Sequence, residues 1–222
     1  MSCIHPTVLA PIDRQINNPA AMTVRRYVTW SILCAGIFLG LAIGLINIVT
    51  TEGEPLFTDE DMRFLQHMSI HHQQAVAMSL LVPSRSNREE FIRYAGYVKR
   101  AQAAEIAIMQ SLLALAAERG VDVPTHHLHG DPPMEGMLSS SQMQALDEAA
   151  GAKFERLWLE GMIYHHQGAI DMSFAQQQHQ LATGRRPYVL DVMVEDILVE
   201  QRYEITKMHR WLREWGLAAD PE

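Results

Sequence analysis

Two adjacent histidines with methionines on both sides occur twice in this sequence, 94 positions apart. The residues are Met68, His71, His72 and Met78 in the first copy and Met162, His165, His166 and Met172 in the second. Imidazole and thioether groups together select soft or borderline metal ions. A pattern written twice in this way predicts one metal site that is assembled from two related halves of the chain.

The repeat continues downstream as a Gln-x-x-Glu-Ile-x-x-Met pattern, here at an offset of 99. Its polar and thioether side chains are Gln102, Glu105 and Met109 in the first half and Gln201, Glu204 and Met208 in the second. Spacings of three and four place these side chains on one face of a helix. The carboxylates are either half-exposed surface groups or acceptors that orient the opposing histidines, and their presence in both halves favours the second interpretation. We expect all six residues to surround the metal ligands from outside.

The histidines and methionines of each copy share one broad helix face, which also carries Leu65 and Val82 in the first copy. A single buried histidine pair is ordinarily a hydrogen-bonded core feature, and a methionine at helical spacing is ordinarily core filler. Four buried imidazoles are costly unless a metal ion or neutral partners satisfy their nitrogens, so the histidines as a group favour metal ligation. Each methionine, taken alone, is either core or ligand. Cu(I) fits this donor set best, Cu(II) can be held by the imidazoles, and Zn(II) gains little from thioethers.

A third group of metal-binding residue types lies between the two halves, in the one long irregular stretch. It consists of His126, His127, His129, Met134 and Met137. This segment either captures metal at the surface as an accessory site or is a solvated turn, and the sequence favours neither interpretation.

Helical periodicity predicts an all-α fold with four helices after residue 58. The first runs from the capping Thr58 to Val82, where Pro83 stops it. Ser86 or Asn87 caps the second, which ends at Arg119-Gly120. These two helices form the first repeat half, about 58–119.

The second repeat half, about 139–216, also contains two helices. A capping box at Ser139 to Gln142 begins the third helix, which we expect to continue past Gly151 to about Ala182. The fourth helix has Pro187 in its first turn and ends at Gly216. We therefore predict a ferritin-like four-helix bundle built from two repeated helical hairpins and related by a pseudo-twofold axis.

The N-terminal part carries an uncharged run of 22 residues from Val28 to Val49. That length spans a bilayer as a helix, and Arg25 and Arg26 before it predict a cytoplasmic N-terminus. The expected organisation is a cytoplasmic arm at 1–27, a transmembrane helix at 28–50 and an exported metal-binding domain at 51–222. A cleaved signal peptide is the alternative, but the apolar run is long for one. Both interpretations export the rest of the chain.

The expected exported part contains no cysteine, so neither a disulfide nor a thiolate ligand is available there. Without Asp13, Arg14, Arg25 and Arg26, the chain has 25 acidic and 15 basic residues, a net charge of −10. This charge disfavours nucleic acid as a partner and attracts cations.

The motifs resemble those of the CopM-like proteins, the family called domain of unknown function 305. The resemblance covers roughly Asp59 to Leu212 and includes the block from Phe64 to His72, the Gly136-Met137-Leu138-Ser139 hinge, the Gly151-Ala152-Lys153-Phe154 entry and the block from Met162 to Ile170. It implies a ferritin-like helical bundle that is exported and binds copper. The ligands it implies here are His71, His72, His165, His166, Met68, Met78, Met162 and Met172. Gly161 stands opposite His67, so a symmetric role for His67 is in doubt.

These observations favour a membrane-anchored, outward-facing protein that binds copper for sequestration, tolerance or delivery, without catalysis. Delivery would require a metal-transfer partner that the sequence does not identify. One alternative is a copper-dependent oxidoreductase; a di-iron enzyme is disfavoured because the Glu-x-x-His tetrad is absent. The other alternative is an interaction or sensor module whose histidines respond to pH without metal.

Overall fold

In the computed structural model, residues 56–119 and 134–218 are described, and they form five α-helices without any strand. The helices are α1 (Asp59–Arg85), α2 (Glu89–Glu118), α3 (Ser140–Glu148), α4 (Gly151–Thr183) and α5 (Tyr188–Glu214). The prediction of an all-helical fold is confirmed. The predicted transmembrane helix lies outside the described residues, and none of the five helices is long and apolar enough to cross a membrane.

A capping box begins α1. The Thr58 side chain accepts a hydrogen bond from the Asp61 amide, and the Asp61 carboxylate accepts one from the Thr58 amide. These bonds satisfy backbone N–H groups that have no partner within the helix, and three acidic residues suit the positive end of the helix dipole. The predicted start is therefore confirmed, but the predicted stop at Pro83 is wrong. Pro83 costs α1 only the one helical hydrogen bond to the carbonyl of residue 79, and the helix continues for two more residues to Arg85.

The turn between α1 and α2 differs from the expected cap. Arg88 is the N-cap of α2 and makes no capping hydrogen bond through its side chain. The Ser86 hydroxyl instead donates to Glu155, 2.7 Å away on α4, and accepts from the Arg88 amide. Ser86 thus joins the two hairpins rather than capping the second helix.

The predicted third helix is interrupted. The Ser139 capping box is present, but Ala149 and Ala150 are extended and Gly151 has a φ of 58°. Glycine adopts this left-handed conformation without the steric penalty of a Cβ atom, so the chain turns sharply here. The short α3 and the long α4 replace the continuous helix that the periodicity predicted.

The four long helices form two hairpins, α1 with α2 and α4 with α5, which meet mainly through α1 and α4. Asp61 at the start of α1 bonds Gln176 near the end of α4, and Ser86 after α1 bonds Glu155 near the start of α4. The two helices are therefore antiparallel, which brings their midpoints together. The short α3 packs against α4 and α1.

An aromatic cluster fills the core near the start of α2 and the end of α5. The rings of Phe91 and Trp158 meet edge to face, with centroids 4.9 Å apart. Tyr94 meets Trp211 in the same way at 4.9 Å. Such contacts join α2 to both helices of the second hairpin. The aromatic cluster therefore adds a second contact between the two hairpins, besides that of α1 with α4.

Candidate metal centre

The four predicted histidines come together at the middle of the bundle. His71 and His72 lie on α1, His165 and His166 lie on α4, and all four side chains are completely buried. The His71 and His165 rings are 3.8 Å apart between centroids. Within each pair, the centroid separations are 6.4 Å for His71 and His72 and 6.0 Å for His165 and His166. The repeat therefore forms one imidazole cluster at the contact between the hairpins.

Backbone carbonyls fix one tautomer of two of these rings. His165 donates through Nε2 to the carbonyl oxygen of His71, 2.8 Å away. His71 donates through Nε2 to the carbonyl oxygen of Glu135, 3.0 Å away. A carbonyl oxygen can only accept, so the proton of each neutral ring is on Nε2. The Nδ1 atom of each ring consequently carries a lone pair.

Carboxylates hold the other two rings. The Nε2 atom of His72 lies 2.8 Å from Glu105, and the Nε2 atom of His166 lies 2.6 Å from Glu204. Each glutamate lies on the second helix of the same hairpin as its histidine. Each carboxylate therefore contacts a histidine of its own repeat half, and its role in orienting a metal ligand stays a prediction.

The remaining ring nitrogen of every histidine in the cluster has no partner. The Nδ1 atoms of His71, His72, His165 and His166 are buried and make no hydrogen bond. An unsatisfied buried polar atom typically costs about 1–3 kcal/mol. Four of them in one place are unusual for a packed core. A metal ion would bind the lone pair of each Nδ1 atom that carries no proton, as in His71 and His165, so the donor set fits such an ion.

Burial disfavours the charged form of three of the four imidazoles. Burial, with a smaller contribution from the neighbouring His72, lowers the pKa of His71 to about 3. It lowers the pKa of His166 to about 3 and that of His165 well below the ordinary value. Burial also raises the pKa of Glu204 to about 8, with a contribution from Glu105. We therefore describe His166 and Glu204 as a neutral pair that shares one proton, rather than as an ion pair, because neither charge is solvated.

The methionines divide between two environments. Met68, Met78, Met162, Met109 and Met208 are completely buried, whereas Met172 is only partly buried. Met78, Met162 and Met208 belong to the hydrophobic core cluster. Met68 and Met162 precede His71 and His165 by three positions, so each lies about one helical turn from the cluster. Met78 and Met172 are about two turns away on the other side.

The two predicted outer glutamines are buried but contact no histidine through a hydrogen bond. Gln102 and Gln201 are each about 1% exposed, and the side-chain oxygen of each has no hydrogen-bond partner. Within residues 56–119 and 134–218, no three His, Cys, Asp or Glu side chains are arranged to hold a metal ion. Binding would therefore require the imidazole rings to turn or thioether sulfur to take part.

The segment 134–138 lies against the cluster, which the sequence analysis did not predict. Its Glu135 carbonyl accepts from His71, and both ends of the Gln74 amide bond the backbone of Leu138 at 2.9 and 2.7 Å. A Cβ atom on Gly168 would come within 2.1 Å of the Glu135 oxygen. The signal was present, because a glycine inside a helical pattern often marks a close backbone approach.

Two of the five predicted accessory residues, Met134 and Met137, belong to this segment and are partly buried. His126, His127 and His129 lie outside the described residues. The accessory role of this group stays a prediction.

Residues 61–212 match the family model for DUF305, a domain of unknown function. The chain belongs to this family. The resemblance seen in the sequence is therefore confirmed for more than half of the chain. No curated protein matches the sequence.

Solved structures of the DUF305 family share the helical fold. A putative secreted DUF305 protein from Streptomyces coelicolor is 30% identical, with a TM-score of 0.61, and the match covers 73% of this chain and 97% of that one. A DUF305 fragment from Deinococcus radiodurans is 28% identical, with a TM-score of 0.59 and coverages of 71% and 97%. CopM in its Cu(I)-bound form is 27% identical, with a TM-score of 0.54 and coverages of 70% and 96%.

Proposed function

We propose that this protein binds copper at the buried imidazole cluster and that it sequesters the ion or delivers it to a partner. The observation that carries the proposal is the set of four buried Nδ1 atoms without partners. At least two of these atoms carry a lone pair, because the Nε2 protons of His71 and His165 are committed to carbonyl oxygens.

The choice of copper rests on donor chemistry and on a relative. Neutral imidazoles with nearby thioethers and without cysteine suit Cu(I), and imidazoles alone can hold Cu(II). CopM has been solved with Cu(I), Cu(II) and silver bound, and silver is a soft ion like Cu(I). We assign His71, His72, His165 and His166 as the imidazole ligands. Met68 and Met162 are the nearest thioether ligands, and Met78 and Met172 are more distant ones.

Glu105 and Glu204 contact the proposed ligands His72 and His166 rather than the metal ion itself. A carboxylate that accepts from a ligand imidazole fixes the ring and strengthens the bond from its other nitrogen to the metal. Copper at Nδ1 requires a proton on Nε2, so binding favours the carboxylate form of Glu204. All four imidazoles are completely buried, which is why we favour binding over catalysis.

The proposed location is the outer side of a membrane, with the chain anchored by residues 28–50. Support comes from the sequence alone: an uncharged run of 22 residues with two arginines before it. Alkaline phosphatase fused after Glu222 should be active if the domain is exported. An inactive but stably expressed fusion would contradict export.

Competition with a chelator of known affinity tests copper binding. The full chain in detergent micelles should withdraw Cu(I) from bicinchoninate, whereas a double variant, His71→Ala with His165→Ala, should not. The matched control is the triple alanine variant of His126, His127 and His129, which removes more imidazoles but leaves the cluster intact. If the unaltered chain fails to compete, or if both variants lose binding equally, the assignment is wrong. Copper-dependent consumption of dioxygen with ascorbate would favour the oxidoreductase alternative.

A further inference from the structure

The segment 134–138 crosses α1 and α4 at the imidazole cluster, although it belongs to neither helix. Its Glu135 carbonyl accepts a hydrogen bond from His71 Nε2 at 3.0 Å. The equivalent nitrogen of His165 bonds a helix carbonyl, that of His71. His71 therefore depends for its orientation on a segment that belongs to neither helix.

Gln74 fastens this segment to α1. Its amide nitrogen donates to the Leu138 carbonyl at 2.9 Å, and its amide oxygen accepts from the Leu138 amide at 2.7 Å. This two-point contact fixes both the position and the direction of the backbone. Gln74 lies three positions after His71, so one helical turn carries both contacts of the segment.

Gly168 allows the segment to lie directly on α4. A Cβ atom there would meet the Glu135 oxygen at 2.1 Å and the Gly136 Cα at 2.6 Å. Backbone atoms cannot yield as a flexible side chain can. Gly136 itself has a φ of 78° and lies against the carbonyls of Tyr164 and His165. The two glycines thus permit backbone-to-backbone contact. Gly168 occupies the position in the second repeat half that Gln74 occupies in the first.

We propose that Gln74 and Gly168 are positioning residues for copper: through the segment 134–138 they fix the His71 ring with its Nδ1 lone pair available. This inference rests on the proposed copper site. Docking of the segment holds the His71 proton on Nε2 and leaves the Nδ1 lone pair available to the ion, so by linkage a bound ion favours docking of the segment. Copper binding and segment docking are therefore coupled.

Two variants remove the docking contacts, and each has a matched control. Gln74→Ala removes both bonds to Leu138, and Gln73→Ala changes the adjacent glutamine, which is exposed. Gly168→Ala displaces the Glu135 carbonyl, and Gly96→Ala makes the same change in α2, where the added Cβ meets only the end of Arg100 at 3.4 Å. Alanine is the better helix former, so neither glycine variant weakens its helix.

Three measurements on the full chain in micelles test the proposal. In the metal-free protein, the ¹⁵N spectrum of the His71 ring should show a single Nε2–H tautomer, and Gln74→Ala and Gly168→Ala should both produce tautomer averaging. Both variants should weaken Cu(I) binding about 10- to 100-fold, the range for loss of an outer partner of a metal ligand. Hydrogen exchange of the amides in 134–139 should slow when Cu(I) binds to the unaltered chain. The two control variants should match the unaltered chain in all three.

The outcomes separate this inference from the copper site itself. If the unaltered chain binds no Cu(I), the proposed function fails, and the coupling fails with it. If the unaltered chain binds but both docking variants bind equally well and keep a single His71 tautomer, the positioning role is wrong while the copper site stands. A loss of affinity without any change in the His71 tautomer would also overturn it, because a merely structural effect would give that result.

Discussion

His165 donates from its Nε2 atom to the backbone carbonyl of His71, 2.8 Å away. One repeat half thereby orients a ligand candidate of the other half, and the bond crosses the contact between the two hairpins. Since the bond uses the backbone of His71, it leaves the imidazole of His71 free for other partners. The cluster is thus built from an interaction that neither hairpin could make alone.

The tautomer of His165 should be fixed before any metal arrives. In the metal-free chain at pH 7, we expect the ¹⁵N shifts and couplings of its ring to show a proton on Nε2 and none on Nδ1. The reason is that a carbonyl oxygen can only accept a hydrogen bond. Selective ¹⁵N-histidine labelling measures this, with exposed His209 as an internal reference that should average between tautomers. A proton on Nδ1 of His165 would contradict the described hydrogen bond.

Single substitutions in the cluster should be strongly non-additive. We expect His71→Ala and His165→Ala each to weaken Cu(I) binding by at least about 100-fold, and the double variant to add little, because residues that act as one unit are not independent. Chelator competition measures all three affinities under the same conditions. Losses that multiply fully in the double variant would mean that the two rings bind separate ions.

The outer carboxylate of the first hairpin should support affinity through His72. Glu105→Ala removes the acceptor 2.8 Å from His72 Nε2 and should weaken copper binding about 10- to 100-fold. Glu105→Gln keeps an oxygen acceptor without the charge and should lose less. Glu118→Ala, an exposed change on the same helix, is the control. Equal affinities for the alanine and glutamine variants would show that the hydrogen bond has no role in binding.

Much of the fold could be predicted because the relevant signals are local. Helical spacing, the Thr58 and Ser139 capping boxes and the apolar face around His71 all depend on residues within a few positions of one another. The break at Gly151 could not be predicted, because a glycine within a helical pattern is compatible both with a continuous helix and with a turn. Packing of the short α3 on α4 and α1 decides between them.

The candidate site could be predicted only as a set of side chains. The duplication identified the four histidines and the two glutamates, since their residue types carry the signal. The carbonyl acceptors from Glu135 and His71 carry no such signal, because every residue has a backbone carbonyl. The pairing of His72 with Glu105 inside one hairpin likewise depends on how α1 and α2 pack, which the spacing alone does not determine.

The aromatic core should determine stability without affecting the site. Trp158 is completely buried and meets Phe91 edge to face, so Trp158→Ala should lower the free energy of unfolding by about 3–5 kcal/mol. Trp158→Phe should cost less, because it keeps most of the buried area. Urea unfolding measures both values. The folded fraction of each variant should keep its Cu(I) affinity, and a parallel loss of affinity would show that the core and the site are coupled.

Glu200 should make stability fall as pH rises. Burial raises its pKa in the folded chain to about 7, with contributions from Glu105, Glu204 and Asp196, while Tyr97 donates to it and opposes the rise. A raised carboxyl pKa means that the folded state holds the proton more tightly than the unfolded state does. The stabilisation from this bound proton is complete below the unfolded pKa of about 4.5 and is lost as pH rises to about 7.

The matched substitution is Glu200→Gln, which keeps an oxygen acceptor for Tyr97 but does not titrate. Between pH 4.5 and 8, the metal-free chain should lose on the order of 3 kcal/mol of unfolding free energy relative to this variant, at about 1.4 kcal/mol for each unit of pKa shift. Urea unfolding at several pH values measures the difference. Glu118→Gln removes an exposed carboxylate and should leave the pH profile unchanged. If Glu200→Gln also keeps the original profile, another buried group, such as Glu204, carries the pH dependence.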